Sequence, residues 1–103
     1  MKTDPPGVRS RPTELVWSAR ALARLREIRA FVAADKPEAA ERLAARIVAV
    51  VEALRRYPYL GRPGSTQGVR ELLIGGTPYI VMYRVEANQI VIQTVWHGAQ
   101  LDK

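Results

Sequence analysis

Few side chains in this chain can do acid–base or nucleophilic chemistry, and their types narrow the possibilities quickly. His97 is the sole histidine, hence the one side chain whose ordinary pKa suits proton transfer near neutrality. Cysteine is absent, so thiolate chemistry and disulfides are excluded. No His or Cys cluster suggests a metal, and no cofactor is expected. Cations are plentiful: thirteen of the sixteen basic residues are arginine. Cleavage of a phosphodiester by 2′-hydroxyl attack needs a group to take that proton, a group to protonate the leaving oxygen, and cations for the developing charge. Between Val69 and His97 the available groups are Arg70, Arg84 and His97. Each has a plainer use. His97 can cap the last strand or touch a partner, Arg84 can be a solvated or ion-paired strand residue, and Arg70 need not pair with Glu71, since strand neighbours point to opposite faces.

The aromatic residues Trp17, Tyr57, Tyr59 and Trp96 are possible stacking platforms for bases, but without a fold that arrays them together, core and rim packing is the better use. Gly75-Gly76 joins two apolar runs and does not open a helix, so it reads as a turn and not as a phosphate cradle.

The groups above must be positioned by a small scaffold. At 103 residues the chain is one domain, and a hydrophobic fraction of 48% predicts a buried core. No apolar run approaches the roughly 20 residues needed to cross a bilayer. Residues 1–12, MKTDPPGVRSRP, contain no apolar segment of the secretory type and read as a flexible extension. A cytoplasmic protein with no membrane partner is expected. The net charge of +6 favours polyanions or acidic proteins as partners, although a small domain also carries charge to remain soluble.

The organising stretch is Val69 to His97, VRELLIGGTPYIVMYRVEANQIVIQTVWH. Three apolar, β-rich runs are separated by Gly75-Gly76-Thr77-Pro78 and Glu86-Ala87-Asn88-Gln89, the pattern of a β-meander. Tyr79, Val81, Tyr83 and Val85 share one face, with Ile80, Met82 and Arg84 on the other. Upstream, Thr13 to Trp17 is β-prone and Ser18 is a plausible N-cap. Leu22, Leu25, Ile28 and Val32 then recur at helical spacing to about Ala34, with Phe31 beside them and Arg20, Arg24, Glu27 and Arg29 on the other faces. Asp35-Lys36-Pro37-Glu38 breaks this helix and starts a second, predicted from Pro37 to about Tyr57 with the stripe Leu43, Ile47, Val50, Val51 and Leu54. So short a connection makes an αα-hairpin, and Tyr57 to Ser65 forms a turn-rich link. Neither hairpin nor meander can bury its apolar face alone. The predicted fold over residues 13–103 is therefore α+β: an N-terminal strand and an antiparallel αα-hairpin packed on a C-terminal three-stranded antiparallel meander. Helices cover one sheet face, which leaves the other for solvent or a partner.

The β-α-α-β-β-β order, the PEAAERLAARI helix opening, the YPYLGRPG link, the VRELLI and YIVMYRV strands and the closing VWHGAQ together resemble the ParE branch of the RelE/ParE toxin superfamily, over about Glu14 to Gln100. The resemblance implies a toxin of a type II toxin–antitoxin module, held inactive by a ParD-like antitoxin that wraps an extended or helical segment around it. DNA contact would come only through the antitoxin. ParE-like members are described as poisons of DNA gyrase without enzymatic turnover; RelE-like members are ribosome-dependent messenger RNA endonucleases. The second group draws on basic residues of the sheet and a basic, tyrosine-bearing tail. Here Ile80 stands where such a strand carries a basic residue, and the tail WHGAQLDK has Lys103 as its only basic side chain besides His97. The expectation is a gyrase-binding toxin without a catalytic set, with the RelE-like endonuclease as the alternative. Arg70, Arg84, Trp96 and His97 are the candidates for target binding. Leu22, Leu25, Tyr79 and Tyr83 are the candidates for antitoxin binding.

Overall fold

The computed structural model describes residues 14–98. The readings of residues 1–12 as an extension and of Thr13 and the last five residues fall outside the described residues. In chain order the elements are β1 (Glu14–Trp17), α1 (Ala19–Ala33), α2 (Pro37–Glu52), a 3-10 turn (Ala53–Arg55), β2 (Arg62–Pro63), β3 (Arg70–Leu73), β4 (Tyr79–Val85) and β5 (Gln89–His97). Ser18 caps α1 as its type suggests, accepting the Ala21 amide at 3.0 Å. Pro37 opens α2 with its missing N–H at a position that needs none, and Glu38 lies in the first turn. The second helix stops earlier than predicted. Its last turn tightens at Ala53, because Pro58 disfavours helical backbone at Tyr57.

The strands form one sheet in the order β1-β5-β4-β3-β2. β1 pairs with β5 in parallel, after the αα-hairpin has crossed the sheet, and all other pairings are antiparallel. The meander is thus as predicted, with β2 added as a two-residue edge strand inside the link that the sequence reading left irregular.

One irregularity organises β5. Met82 faces Thr94 but Tyr83 faces Ile92, so Gln93 is an extra residue, a β-bulge. The bulge changes the phase of alternation: Ile90 and Ile92 face the helices below it, Val95 and His97 above it. Ile90, Ile92 and Val95, with Leu72, Ile74, Tyr79, Val81 and Tyr83, meet Ala21 and Ile28 of α1 and Ile47, Val51 and Leu54 from α2 and its 3-10 turn, in one core. The α1 stripe is rotated from the predicted one. Ala21 and Ile28 are buried and Leu25 is half-buried, but Leu22 is 41% exposed and Phe31 is 77% exposed.

Tyr83 locks the link onto this core. It is fully buried, its hydroxyl accepting from the Gly61 amide and donating to the Pro58 carbonyl, both at 2.8 Å. Only glycine fits at 61, where a Cβ would lie 2.7 Å from the Glu71 carbonyl oxygen and 2.8 Å from the Tyr83 ring.

Candidate functional site

The register places every meander side chain in a row across one sheet face. On the helix-covered face, Arg70 lies beside Tyr83 and Ile92, and Tyr79 lies beside His97. On the opposite face, three rows matter. Leu73, Ile80 and Trp96 stand abreast; Glu71, Met82 and Thr94 form the next row, with Arg62 at its edge; Arg84, Val91 and Val16 follow. Both helices pack on the other side.

The four target-binding candidates do not converge. Arg84 and Trp96 are on the open face, Arg70 and His97 on the helix side. Trp96 and Arg84 are also separated by four residues of β4, roughly 13 Å at strand rise. Arg70 is held within the fold: its Nε donates to the Gly61 carbonyl at 3.0 Å and its guanidinium lies 5.1 Å from the Tyr59 ring centroid. Arg84 lies against the turn before β3, where a Cβ on Gly68 (φ +83°) would come within 2.5 Å of an Arg84 guanidinium nitrogen. His97 meets the Tyr79 ring edge-on, centroids 5.4 Å apart at 84°. Together with Arg24, Glu27, Ile28 and Phe31 these two rings line a cleft of about 360 Å³ between α1 and the ends of β4 and β5.

The first row of the open face is apolar. Ile80 is nearly buried, flanked by an aliphatic and an aromatic side chain in its own row, and Leu73 beside it is 62% exposed. The neighbouring row supplies an acid, Glu71, with Arg62 at 3.3 Å. The cations on this face, Arg62 and Arg84, stand outside the Leu73–Ile80–Trp96 row.

Of the antitoxin candidates, Leu22 is available at the surface. Leu25 packs partly on the core and partly lines a shallow groove of the helical hairpin with Arg29, Ala44 and Val48. Tyr79 presents an edge to the cleft. Tyr83 is the correction: with no exposed surface and its hydroxyl occupied twice, it is a fold residue and not a contact. Sequence reasoning missed Leu73 and the exposure of Phe31. The first was available from the adjacent pair Leu72-Leu73, whose members must point to opposite faces. It also placed Arg24 on a solvent face, whereas Arg24 Nε donates to the Val95 carbonyl at 3.0 Å and Ser18 Oγ to that of Gln93 at 2.9 Å. These two side chains take over the β5 edge where β1 ends.

Comparison with known proteins bears on this geometry. The family model described as ParE toxin of the type II toxin–antitoxin system, parDE, matches residues 15–102. Y4kP of Sinorhizobium fredii, whose name marks it as a candidate toxin, is 46% identical over 84 residues, 82% of this chain and 86% of that one. Toxin RelE2 of Caulobacter vibrioides is 36% identical over 88 residues, covering 85% and 98% of the two chains. Among solved structures, the chromosomal ParDE system of P. aeruginosa superimposes with a TM-score of 0.77 at 28% identity, covering 82% of this chain and 95% of that one. The RelBE2 toxin–antitoxin complex of Mycobacterium tuberculosis shares the fold, with a TM-score of 0.63 at 23% identity over 84% and 98% of the chains. The chain belongs to the ParE toxin family of type II toxin–antitoxin systems, within the wider ParE/RelE group.

Proposed function

We propose that this toxin acts by binding, with DNA gyrase as its target, and that a ParD-like antitoxin neutralises it. The observation that supports the reading is the apolar Leu73–Ile80–Trp96 row on the open sheet face, in which Leu73 is exposed and Ile80 stands where the RelE-like pattern carries a basic residue. The solved relatives are themselves toxin–antitoxin systems, which supports an antitoxin as the regulator.

The test is expression of the chain without antitoxin, with purified gyrase assays and messenger 5′-end mapping from the same culture. Gyrase-dependent DNA breaks with intact messenger are expected, and Leu73→Glu, at an exposed position, should reduce them at least tenfold while leaving the melting temperature unchanged. A second reading, a RelE-like ribosome-dependent endoribonuclease, is favoured by the 36% identity to a toxin named RelE2. In-frame messenger cuts with unaffected gyrase would establish that alternative and make His97, in the cleft with Tyr79, Arg24 and Glu27, the first residue to substitute.

A further inference from the structure

The sheet has two edges, and they are finished differently. At one end β2 is two exposed residues long, and Pro63 has no N–H to offer a neighbour. Shortness, a proline and the charge of Arg62 close that edge to further pairing. At the other end β1 runs through Leu15, Val16 and Trp17 with no such device; its only charge is Glu14 at the start.

The pairing shows which backbone groups of β1 are free. Ser18 donates its N–H to the Ile92 carbonyl at 3.0 Å, and β1 lies parallel to β5 with Val16 beside Val91. In such a ladder alternate residues turn both backbone groups to the same side. Val16 therefore bonds β5, while Leu15 and Trp17 turn their N–H and carbonyl groups outward. Among the described residues no backbone group pairs with these four. Backbone groups of this kind are obligatory hydrogen-bonding groups, and an added strand satisfies them.

We propose that the added strand is β1 of a second copy of this chain, paired antiparallel about a twofold axis at Val16. That register sets Leu15 of each copy opposite Trp17 of the other, so the outward groups of both strands bond one another and none is left over. Leu15 and Trp17, which pack partly buried against the core, become a cross-strand aliphatic–aromatic pair on the helix side, and the two Val16 side chains meet on the open face. Glu14 falls opposite Ser18, at the start of the other copy's α1. That helix has no acidic residue in its first turn and presents Arg20, which is exposed and outside the ion pairs of the described residues. The charges thus complement each other at both ends of the paired strands. Growth stops at two copies, because the joined sheet ends in the blunted β2 on both sides. The inference does not depend on which cellular target the toxin has.

The test is sedimentation of the full chain, separated from antitoxin, over a range of concentrations, with amide hydrogen exchange read at both ends of the range. A monomer–dimer equilibrium is expected, in which the Leu15 and Trp17 amides become protected as the dimer forms and the Arg62 amide at the opposite edge does not change. Glu14→Arg and Arg20→Glu, both at exposed positions, should each weaken dimerisation at least tenfold by setting like charges together, with the melting temperature of the dilute protein unchanged. Mixing the two variants sets opposite charges at both contacts and should restore the dimer, a rescue between chains that a structural role within one chain does not produce. A chain monomeric at every concentration would overturn the proposal. So would a dimer whose Leu15 and Trp17 amides still exchange freely, or one indifferent to both substitutions. Protection of these amides only in a complex of monomeric toxin with antitoxin would overturn the second copy as occupant and give the edge to an antitoxin strand.

Discussion

Replacing Tyr83 by phenylalanine separates a fold role from a contact role at one atom. The hydroxyl holds the Gly61 amide and the Pro58 carbonyl, each at 2.8 Å, and Gly61 is itself buried. Without the hydroxyl the amide has no acceptor and no water, which costs about 1–3 kcal/mol; the half-buried carbonyl can recover part of its bond from solvent. A total near 2–3 kcal/mol is expected. For a domain of this size each kcal/mol moves the melting point by about 4–8 °C, so Tyr83→Phe should melt roughly 10–20 °C lower. Denaturant and thermal unfolding followed by circular dichroism read this directly, and the affinity for the cognate antitoxin, measured well below the lower melting point, should change less than twofold. A variant as stable as the wild type that bound antitoxin tenfold more weakly would refute the reasoning and return Tyr83 to the interface.

Three further outcomes follow from the same geometry. Ser18→Ala removes both the α1 cap and the donor to Gln93, and should cost about 1–2 kcal/mol in denaturant unfolding. Gly61→Ala forces a methyl against the Glu71 carbonyl and the Tyr83 ring and should destabilise by more than about 2 kcal/mol, with loss of soluble folded toxin as the practical readout. Phe31→Ala, at a side chain 77% exposed beside the His97 cleft, should leave the melting point within about 2 °C and weaken antitoxin binding at least fivefold by calorimetry; unchanged affinity would remove that cleft from the interface.

The helices and the meander were legible because period and punctuation agree. The Leu43 to Leu54 stripe, Pro37 and the two turn clusters each point to one structure, and the structure follows them. The link was not legible, since a two-residue strand carries no periodicity; Arg62 and Pro63 are held by pairing to β3, a tertiary fact. The candidate site was half legible. Two faces of β4 follow from alternation alone, but which of them the helices cover does not: Tyr79 and Tyr83 read as interface residues, and they face the core. Which face Trp96 and His97 occupy depends on the bulge at Gln93, and IVIQTVWH contains no turn residue to announce it. Tyr83 misled for a related reason: a tyrosine amid Val and Ile looks like a polar handle for a partner, when its hydroxyl in fact ties down Pro58 and Gly61.

The bulge also bears on how such a domain can diverge. A strand with strict alternation assigns each residue a side by parity, so one residue gained or lost upstream exchanges everything beyond it. In β5 the residues beyond Gln93 are Thr94, Val95, Trp96 and His97, which include the members of both the open-face row and the cleft. Because Gln93 is the extra residue, losing it would leave Ile92 opposite Tyr83 and Thr94 opposite Met82, so the ladder would close as a regular one with Trp96 and His97 on their present faces. The bulge therefore gives this small sheet one position where β5 can shorten by a residue without exchanging its two surfaces.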